Sequence, residues 1–243
     1  MLPRVSDATS AAPPGREVTI PAGDGAPATP AFACLPKGAT RGVVVIHEIF
    51  GRQPEIDRVV ERFAAAGYAA VAPDLFHRGR FACLRDVFRA MRTGDGVSVR
   101  QGRNARAWLC SESGVKQDKV GLIGFCFGGG YALAAGAGWG AVSTNYGYVP
   151  ATRALSGIGP VIGCYGGLDR TLREMPSLLA RRLERHGVKP EIHVFPNAGH
   201  SFLTDGDHPI GRVLFRRMAL GDYPTEREQG WEKIFDFFER KLG

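Results

Sequence analysis

No apolar run in the chain approaches the roughly 20 residues that a membrane-spanning helix needs. The opening stretch, MLPRVSDATSAAPPGREV, is too polar and too rich in proline for the apolar region of a signal peptide. A cytoplasmic protein that does not contact membranes is therefore expected. Cysteine is sparse and shows no pairing pattern. Cys34, Cys83, Cys110, Cys126 and Cys164 make an odd number with no CxxC, which argues against a disulfide framework or a structural zinc site. GxxxxGK[ST] is missing, and no GxGxxG stands in its strand-to-helix context. His47, His77, His186, His193 and His208 lack metal-ligand spacing to carboxylates or thiols. Hence neither a cofactor nor a metal is expected. The formal charge is +7, but the densest basic region, Arg78 to Arg106, has no lysine tract and no interleaved aromatics. Nucleic acid is not an expected partner. Most of these charges read as a solvated face, with a minority of arginines able to draw an anionic substrate.

What is present is enough for one substantial core: 243 residues, 44% of them hydrophobic. Residues 1–15 read as a flexible lead-in and 16–243 as a single domain. REVTI (16–20) and TPAFACL (29–35) are short β segments. GVVVIHE (42–48) is a continuous β-branched run, the pattern of a strand buried on both faces. PEIDRVVERFAAAG (54–67) is a helix with Pro54 in its first turn and Gly67 at its end. YAAVAPDLF (68–76) is the next strand. Residues 77–117 are less regular, with helices near Leu84–Arg92 and Ser98–Ser111 broken at TGDG (93–96). The alternation then resumes. KVGLIGF (119–125), GAVSTNYG (140–147), GPVIGCYGG (159–167) and PEIHVFP (190–196) are strands. FGGGYALAAGAG (127–138), MPSLLARRLERHG (175–187) and TEREQGWEKIFDFFERKL (225–242) are helices. Alternation of this kind implies an α/β fold, a mostly parallel central sheet with helices on both faces.

Reactive groups in such sheets gather where strands end, and four junctions here carry polar residues. In GFCFGG, a strand turning abruptly into a helix strains its central residue, so the positions two before and two after must be small. Gly124 and Gly128 meet that demand around Cys126, and the helix N-terminus favours a thiolate. A bare G-x-C-x-G also fits a cysteine buried in a tight turn. Asp169 in GGLDR (166–170) is the carboxylate at the end of the PVIGCY strand; alone it reads as a loop or capping aspartate. His200 in FPNAGHSF (195–202) follows the last strand; alone it reads as structural. Together they give nucleophile, acid and histidine in the α/β-hydrolase order. His200 would take the Cys126 proton and return it to the leaving group, with Asp169 fixing the imidazole tautomer. The fourth junction, HEIFG (47–51), offers the amide of Ile49 as one oxyanion donor, beside the amide of Phe127. Glu48 reads either as an exposed loop residue or as a carboxylate that shares a proton with Cys126 and protects the thiol from oxidation.

With HEIFG, PDLFHRG, GFCFGGG, YGGLD and GHSF in order, the sequence resembles the dienelactone hydrolase family from about residue 16 onward. The resemblance implies an α/β-hydrolase fold and a triad of Cys126, Asp169 and His200, with Glu48 as accessory carboxylate. The archetypal enzyme opens a carboxylate-bearing enol-lactone and holds the carboxylate with arginines, one of them shortly after the catalytic histidine. At that place this chain has Thr204, after Leu203, with no arginine before Arg212. A second substrate arginine falls in the region matching 77–92, where Arg78, Arg80 and Arg85 are candidates. A hydroxyl cannot replace a bidentate anion partner, so dienelactone does not carry over as the expected substrate, whereas the hydrolytic chemistry does.

The expected function is a thiol-dependent hydrolase of small esters or lactones, neutral or anionic, working through an acyl-cysteine. Phe50, Phe127, Phe202 and Tyr146 join Arg80 and Arg85 as substrate-contact candidates. A broad carboxylesterase or thioesterase is the near alternative. A binding or redox-sensing protein that uses Cys126 without turnover is the distant one. The assembly is expected to be a monomer or a weak homo-oligomer.

Overall fold

Two short antiparallel strands, β1 (Arg16–Ile20) and β2 (Thr29–Cys34), lead into a parallel sheet in the computed structural model. It describes residues 13–204 and 216–243, without the side chains of residues 80–82. Most of the expected lead-in, up to residue 12, and Arg212 lie outside the described residues. The further strands are β3 (Arg41–Ile46), β4 (Tyr68–Pro73), β5 (Val120–Phe125), β6 (Ala141–Asn145), β7 (Val161–Gly166) and β8 (Glu191–Phe195). Their order across the sheet is β1-β2-β4-β3-β5-β6-β7-β8. Among the pairings of these eight strands, β1–β2 and β2–β4 are antiparallel and the rest parallel. The expected mostly parallel sheet is thus found, with an antiparallel edge. Strands β4, β5, β6 and β7 are buried along their whole length, because helices cover both faces and leave no polar side to the pattern.

The helices are α1 (Pro54–Ala65), α2 (Arg80–Thr93), α3 (Val97–Ser113), α4 (Phe127–Ala135), α5 (Met175–Glu184) and α6 (Pro224–Leu242). In α1, Ile56, Val59, Val60, Phe63 and Ala64 form one apolar stripe at helical spacing, while Glu55 and Asp57 sit in the first turn, where the dipole favours them. That stripe meets α6: Phe63 lies 5.8 Å from Trp231 and 5.1 Å from Phe235. Phe238 of α6 reaches Gly121 from this face, whereas Leu109 of α3 reaches Gly42 from the opposite one. Fully burying Trp231, Phe237 and Phe238 each contributes about 1.5–3 kcal/mol. Among the described residues no helix is long and apolar enough to cross a membrane.

Two differences from the sequence reading have physical causes. Helices α2 and α3 are longer than expected because neither starts at a local side-chain cap; their caps are Gly79 and Gly96. Asp86, on α2, instead accepts the amides of Val97 at 3.1 Å and Ser98 at 2.6 Å, capping α3 from outside. Gly94, at φ +75°, closes α2 between them. Strand β3 is shorter than expected. Its pairing with β5 stops at Ile46↔Gly124, where the first turn of α4 comes down on the carbonyls of Ile46 and His47. A Cβ on Gly128 would stand 2.6 and 2.5 Å from those oxygens. His47 and Glu48 therefore leave the sheet and belong to a loop.

Candidate active site

The turn from β5 into α4 holds Cys126 at φ 53° and ψ −117°, a conformation that costs a non-glycine residue of order 1–3 kcal/mol. Two backbone bonds enforce it: the Cys126 amide donates to the Asn145 carbonyl at 2.9 Å, and the Cys126 carbonyl accepts the Gly129 amide at 3.0 Å. The Asn145 side chain adds a bond from Nδ2 to the Gly124 carbonyl at 3.1 Å. A Cβ on Gly124 would stand 1.9 Å from the Gly128 carbonyl oxygen, so the small-residue requirement of this turn is met with no room to spare. Cys126 is partly exposed at the start of α4.

Asp169 follows β7 and His200 follows β8; they are 2% and 3% exposed. His200 Nδ1 donates to Asp169 Oδ2 at 2.6 Å. The other carboxylate oxygen, Oδ1, accepts the Thr171 amide at 2.8 Å and the Thr171 hydroxyl at 2.6 Å. The His200 backbone is tied separately, its amide donating to the Met218 carbonyl at 2.8 Å. Because the carboxylate only accepts, Nδ1 carries the proton and Nε2 is left to exchange one. Nε2 is buried without a hydrogen bond of regular geometry among the described residues, yet Cys126 is near enough to interact with the ring. Burial disfavours the imidazolium, but bonding to Asp169 and Cys126 outweighs it, and the pKa is raised overall. A thiol, an imidazole and a carboxylate in this relation can pass a proton from sulfur to nitrogen and hold the resulting charge pair.

Glu48 enters from the loop after β3. Its Oε1 accepts the hydroxyls of Ser201 at 3.3 Å and Thr204 at 3.4 Å. Burial pushes its pKa up, against the pull of His200 and these two hydroxyls. Its hydrogen bonds among the described residues run to these hydroxyls rather than to Cys126. Thr204 is itself buried, with Oγ1 3.3 Å from the Tyr146 hydroxyl. Tyr146, at φ 42°, is fully buried with its ring 4.9 Å from that of His200. It buttresses the histidine and closes a chain of hydroxyls leading to Glu48.

The other candidates divide between surface and core. Phe127 is partly buried, its ring 5.8 Å from both Phe76 and Phe88. Phe50 and Phe88 are exposed, as are Tyr148 and Leu168 in the loops after β6 and β7. Arg78 and Arg85 are exposed, whereas the side chain of Arg80 lies outside the described residues. Phe202 is fully buried between Phe195 and Tyr146, beside the site but not at its surface. Among the described hydrogen bonds, none uses the amide of Ile49 or of Phe127 as donor. Sequence reasoning missed Thr171, Ser201 and Asn145. The first two had a signal, since each stands within two residues of Asp169 or His200. Asn145 had none beyond its place at the end of β6.

The dienelactone hydrolase family model matches residues 29–242. A carboxymethylenebutenolidase of Rhodococcus opacus is 27% identical over 229 residues, 84% of this chain and 83% of its own. A Salmonella typhimurium protein that bears the same name provisionally is 29% identical over 238 residues, 88% of this chain and 83% of its own. Among solved structures, a dienelactone hydrolase-like promiscuous phosphotriesterase from metagenomic libraries superposes with a TM-score of 0.73 at 24% identity. The match covers 94% of this chain and 98% of that one. An α/β-hydrolase from a Medee basin deep-sea metagenome library superposes at 0.64 with 14% identity, over 94% and 97% of the two chains, and the fold is accordingly the α/β-hydrolase fold. The chain belongs to the dienelactone hydrolase family and is a hydrolase of that family.

Proposed function

We propose that this hydrolase cleaves small esters or lactones with Cys126 as nucleophile, His200 as proton carrier and Asp169 as its orienting carboxylate. The observation that carries the reading is the line from the strained Cys126 turn to the His200–Asp169 bond at 2.6 Å. His200 Nε2 takes the thiol proton as sulfur attacks the carbonyl carbon. The oxyanion is received by the amides of Ile49 and Phe127, neither of which donates a hydrogen bond among the described residues. Collapse expels the alkoxide, which takes the proton back from His200, and leaves an acyl-thioester. Water then gives a proton to Nε2 and attacks that thioester, releasing the acid and restoring the thiol.

Glu48 is the accessory carboxylate of this reading. Its Oε1 is held by the Ser201 and Thr204 hydroxyls, and those two bonds set the resting orientation of the carboxylate. The substrate is a neutral, apolar ester in preference to a carboxylate-bearing lactone. Thr204 is buried against Glu48 and Tyr146 and offers no cation, and exposed Phe88 borders Phe127 beside the nucleophile. Arg85, one turn before Phe88 on α2, is an exposed cation close to this rim in sequence, as is Arg89 immediately after Phe88.

Burst kinetics with p-nitrophenyl acetate test the proposal. The burst amplitude is expected to match the Cys126 content and to vanish in Cys126→Ala. Undiminished turnover by Cys126→Ala would exclude the thiol mechanism and leave the redox-sensing or binding alternatives for the cysteine.

A further inference from the structure

His47 is buried at 1% exposure, and both of its ring nitrogens are engaged. Nδ1 lies 2.7 Å from the carbonyl oxygen of Glu48, and Nε2 lies 3.1 Å from the amide nitrogen of Leu75. A carbonyl only accepts and an amide only donates, so the ring is neutral, with its proton on Nδ1. The imidazole thereby joins two loops, one after β3 and one after β4. Its edge also meets the Phe76 ring at 4.8 Å, and Phe76 in turn meets Phe127. The His47 carbonyl lies directly under Gly128, next to the second proposed oxyanion donor.

The Glu48 carbonyl and the Ile49 amide are two ends of one peptide unit. That unit is trans and planar, so its C=O and N–H point in opposite directions. Holding the oxygen fixes where the hydrogen points. The oxygen is held twice, by His47 Nδ1 and by the Gly51 amide at 3.2 Å. We propose that His47 is a positioning residue for the oxyanion site: it grips the Glu48 carbonyl and so aims the Ile49 amide, while its bond to Leu75 keeps the ring in the one tautomer that can do so.

Protonation of the ring would set an Nε2 hydrogen against the Leu75 amide. Burial lowers the His47 pKa and opposes this, the Glu48 carbonyl and Asp74 favour it, and Arg52 disfavours it. Asp74 Oδ1 stands 3.8 Å from Nε2, beyond hydrogen-bond distance, and accepts the Phe76 amide at 2.9 Å.

This inference rests on the thiol-hydrolase reading, and three substitutions test it in the full chain with p-nitrophenyl acetate. His47→Phe keeps the ring and the Phe76 contact but has no polar atom. His47→Asn returns a donor near Nδ1, and His47→Gln returns a polar group near Nε2. Loss of a well-aimed oxyanion donor is worth roughly 10²–10³ in kcat. His47→Phe is expected to lose on the order of 30- to 300-fold in kcat with KM within about threefold, a split that marks a donor used in the transition state. His47→Asn is expected to recover about tenfold of that loss, and His47→Gln to recover little. Alkylation of Cys126 by iodoacetamide, read by peptide mass, needs no oxyanion site and is expected to stay within about twofold of wild type in all three. A His47→Phe enzyme with kcat within threefold of wild type overturns the proposal. So does Asn performing no better than Gln, a comparison that stands even if His47→Phe does not fold. A loss of kcat matched by an equal loss of Cys126 alkylation also overturns it. Turnover that survives Cys126→Ala overturns the thiol reading itself, a result the His47 variants cannot produce.

Discussion

The imidazole of His200 and the carboxylate of Asp169 meet at 2.6 Å between two buried side chains, and the second carboxylate oxygen is already held by Thr171. The Thr171 amide and hydroxyl donate to Oδ1, so only Oδ2 is left for the histidine. In Asp169→Asn the side-chain carbonyl would take the Thr171 position, because the amide end cannot accept those hydrogens. The NH2 would then face Nδ1 and force the proton to Nε2, the nitrogen that receives the thiol proton in the proposed mechanism. The expected result is a fall in kcat/KM on the order of 10³- to 10⁴-fold with the fold intact. Ester hydrolysis and circular dichroism of the purified variant measure both. A loss below tenfold would show that Asp169 does not set the tautomer.

The turn around Cys126 makes a separate prediction about stability. A Cβ at Gly124 would stand 1.9 Å from the Gly128 carbonyl oxygen and 2.9 Å from the Gly129 nitrogen, both backbone atoms with no rotamer to relieve the contact. Gly124→Ala is expected to lower stability by about 1–3 kcal/mol or more and to abolish turnover, since relief requires the strand and helix to part. Gly138, at φ +73° with nothing within 4 Å of its missing Cβ, is the control: Gly138→Ala is strained in backbone only and is expected to keep its activity. Chemical denaturation of both variants beside wild type decides the matter, and equal losses in the two would refute the steric argument.

Cys126, Asp169 and His200 were readable in the chain because each stands at the end of a strand and the three follow one order. Strand periodicity and glycine spacing are local properties, so a single sequence carries them. The environment of Glu48 is not local. Ser201 and Thr204 lie more than 150 positions away and reach Glu48 only because the parallel strands β3 and β8 end on the same side of the sheet. Thr204 reads in the sequence as a missing arginine; in the fold it is a buried hydroxyl between Glu48 and Tyr146. The starts of α2 and α3 were obscured for a similar reason, since the donors of α3 are satisfied by Asp86 from another helix. His47 read as an isolated histidine because one of its partners is a backbone amide 28 positions away.

Glu48 titrates differently in the folded and unfolded chains. Burial raises its folded pKa against the opposing effect of His200, Ser201 and Thr204. The unfolded chain therefore ionises at lower pH than the folded one. The contribution of Glu48 to stability is fully present below the ordinary carboxyl range and is lost as pH rises through the raised value. Glu48→Gln cannot ionise but can still accept both hydroxyls. Its Tm relative to wild type is expected to climb between about pH 4 and pH 8, by roughly 2–4 °C for each kcal/mol recovered. Scanning fluorimetry across that range reads the difference, and a flat one would remove the burial argument. If Glu48 also shares a proton with Cys126, the same variant is expected to change turnover and peroxide sensitivity together.

The rim of the site separates two kinds of substrate. Phe88 is 56% exposed and meets Phe127 edge to face at 5.8 Å, one residue from Cys126, the proposed nucleophile. An apolar group of a bound ester can cover that exposed ring, and removing the ring takes away contact made equally in ground and transition states. Phe88→Ala is therefore expected to raise KM for p-nitrophenyl butyrate by about 5- to 20-fold with kcat little changed, and to leave methyl esters nearly unaffected. Arg85 lies on the same side of α2, three residues earlier, and contributes charge rather than apolar contact. Arg85→Ala is expected to weaken kcat/KM for a carboxylate-bearing enol-lactone by a similar factor while sparing neutral esters, and to do so less at high salt. Measuring both variants on both substrates gives a cross of four ratios. If Phe88→Ala weakens the two substrates equally, the aromatic rim does not select for apolar esters. If the enol-lactone is then the better substrate of the wild-type enzyme, a buried threonine in place of an arginine does not exclude it.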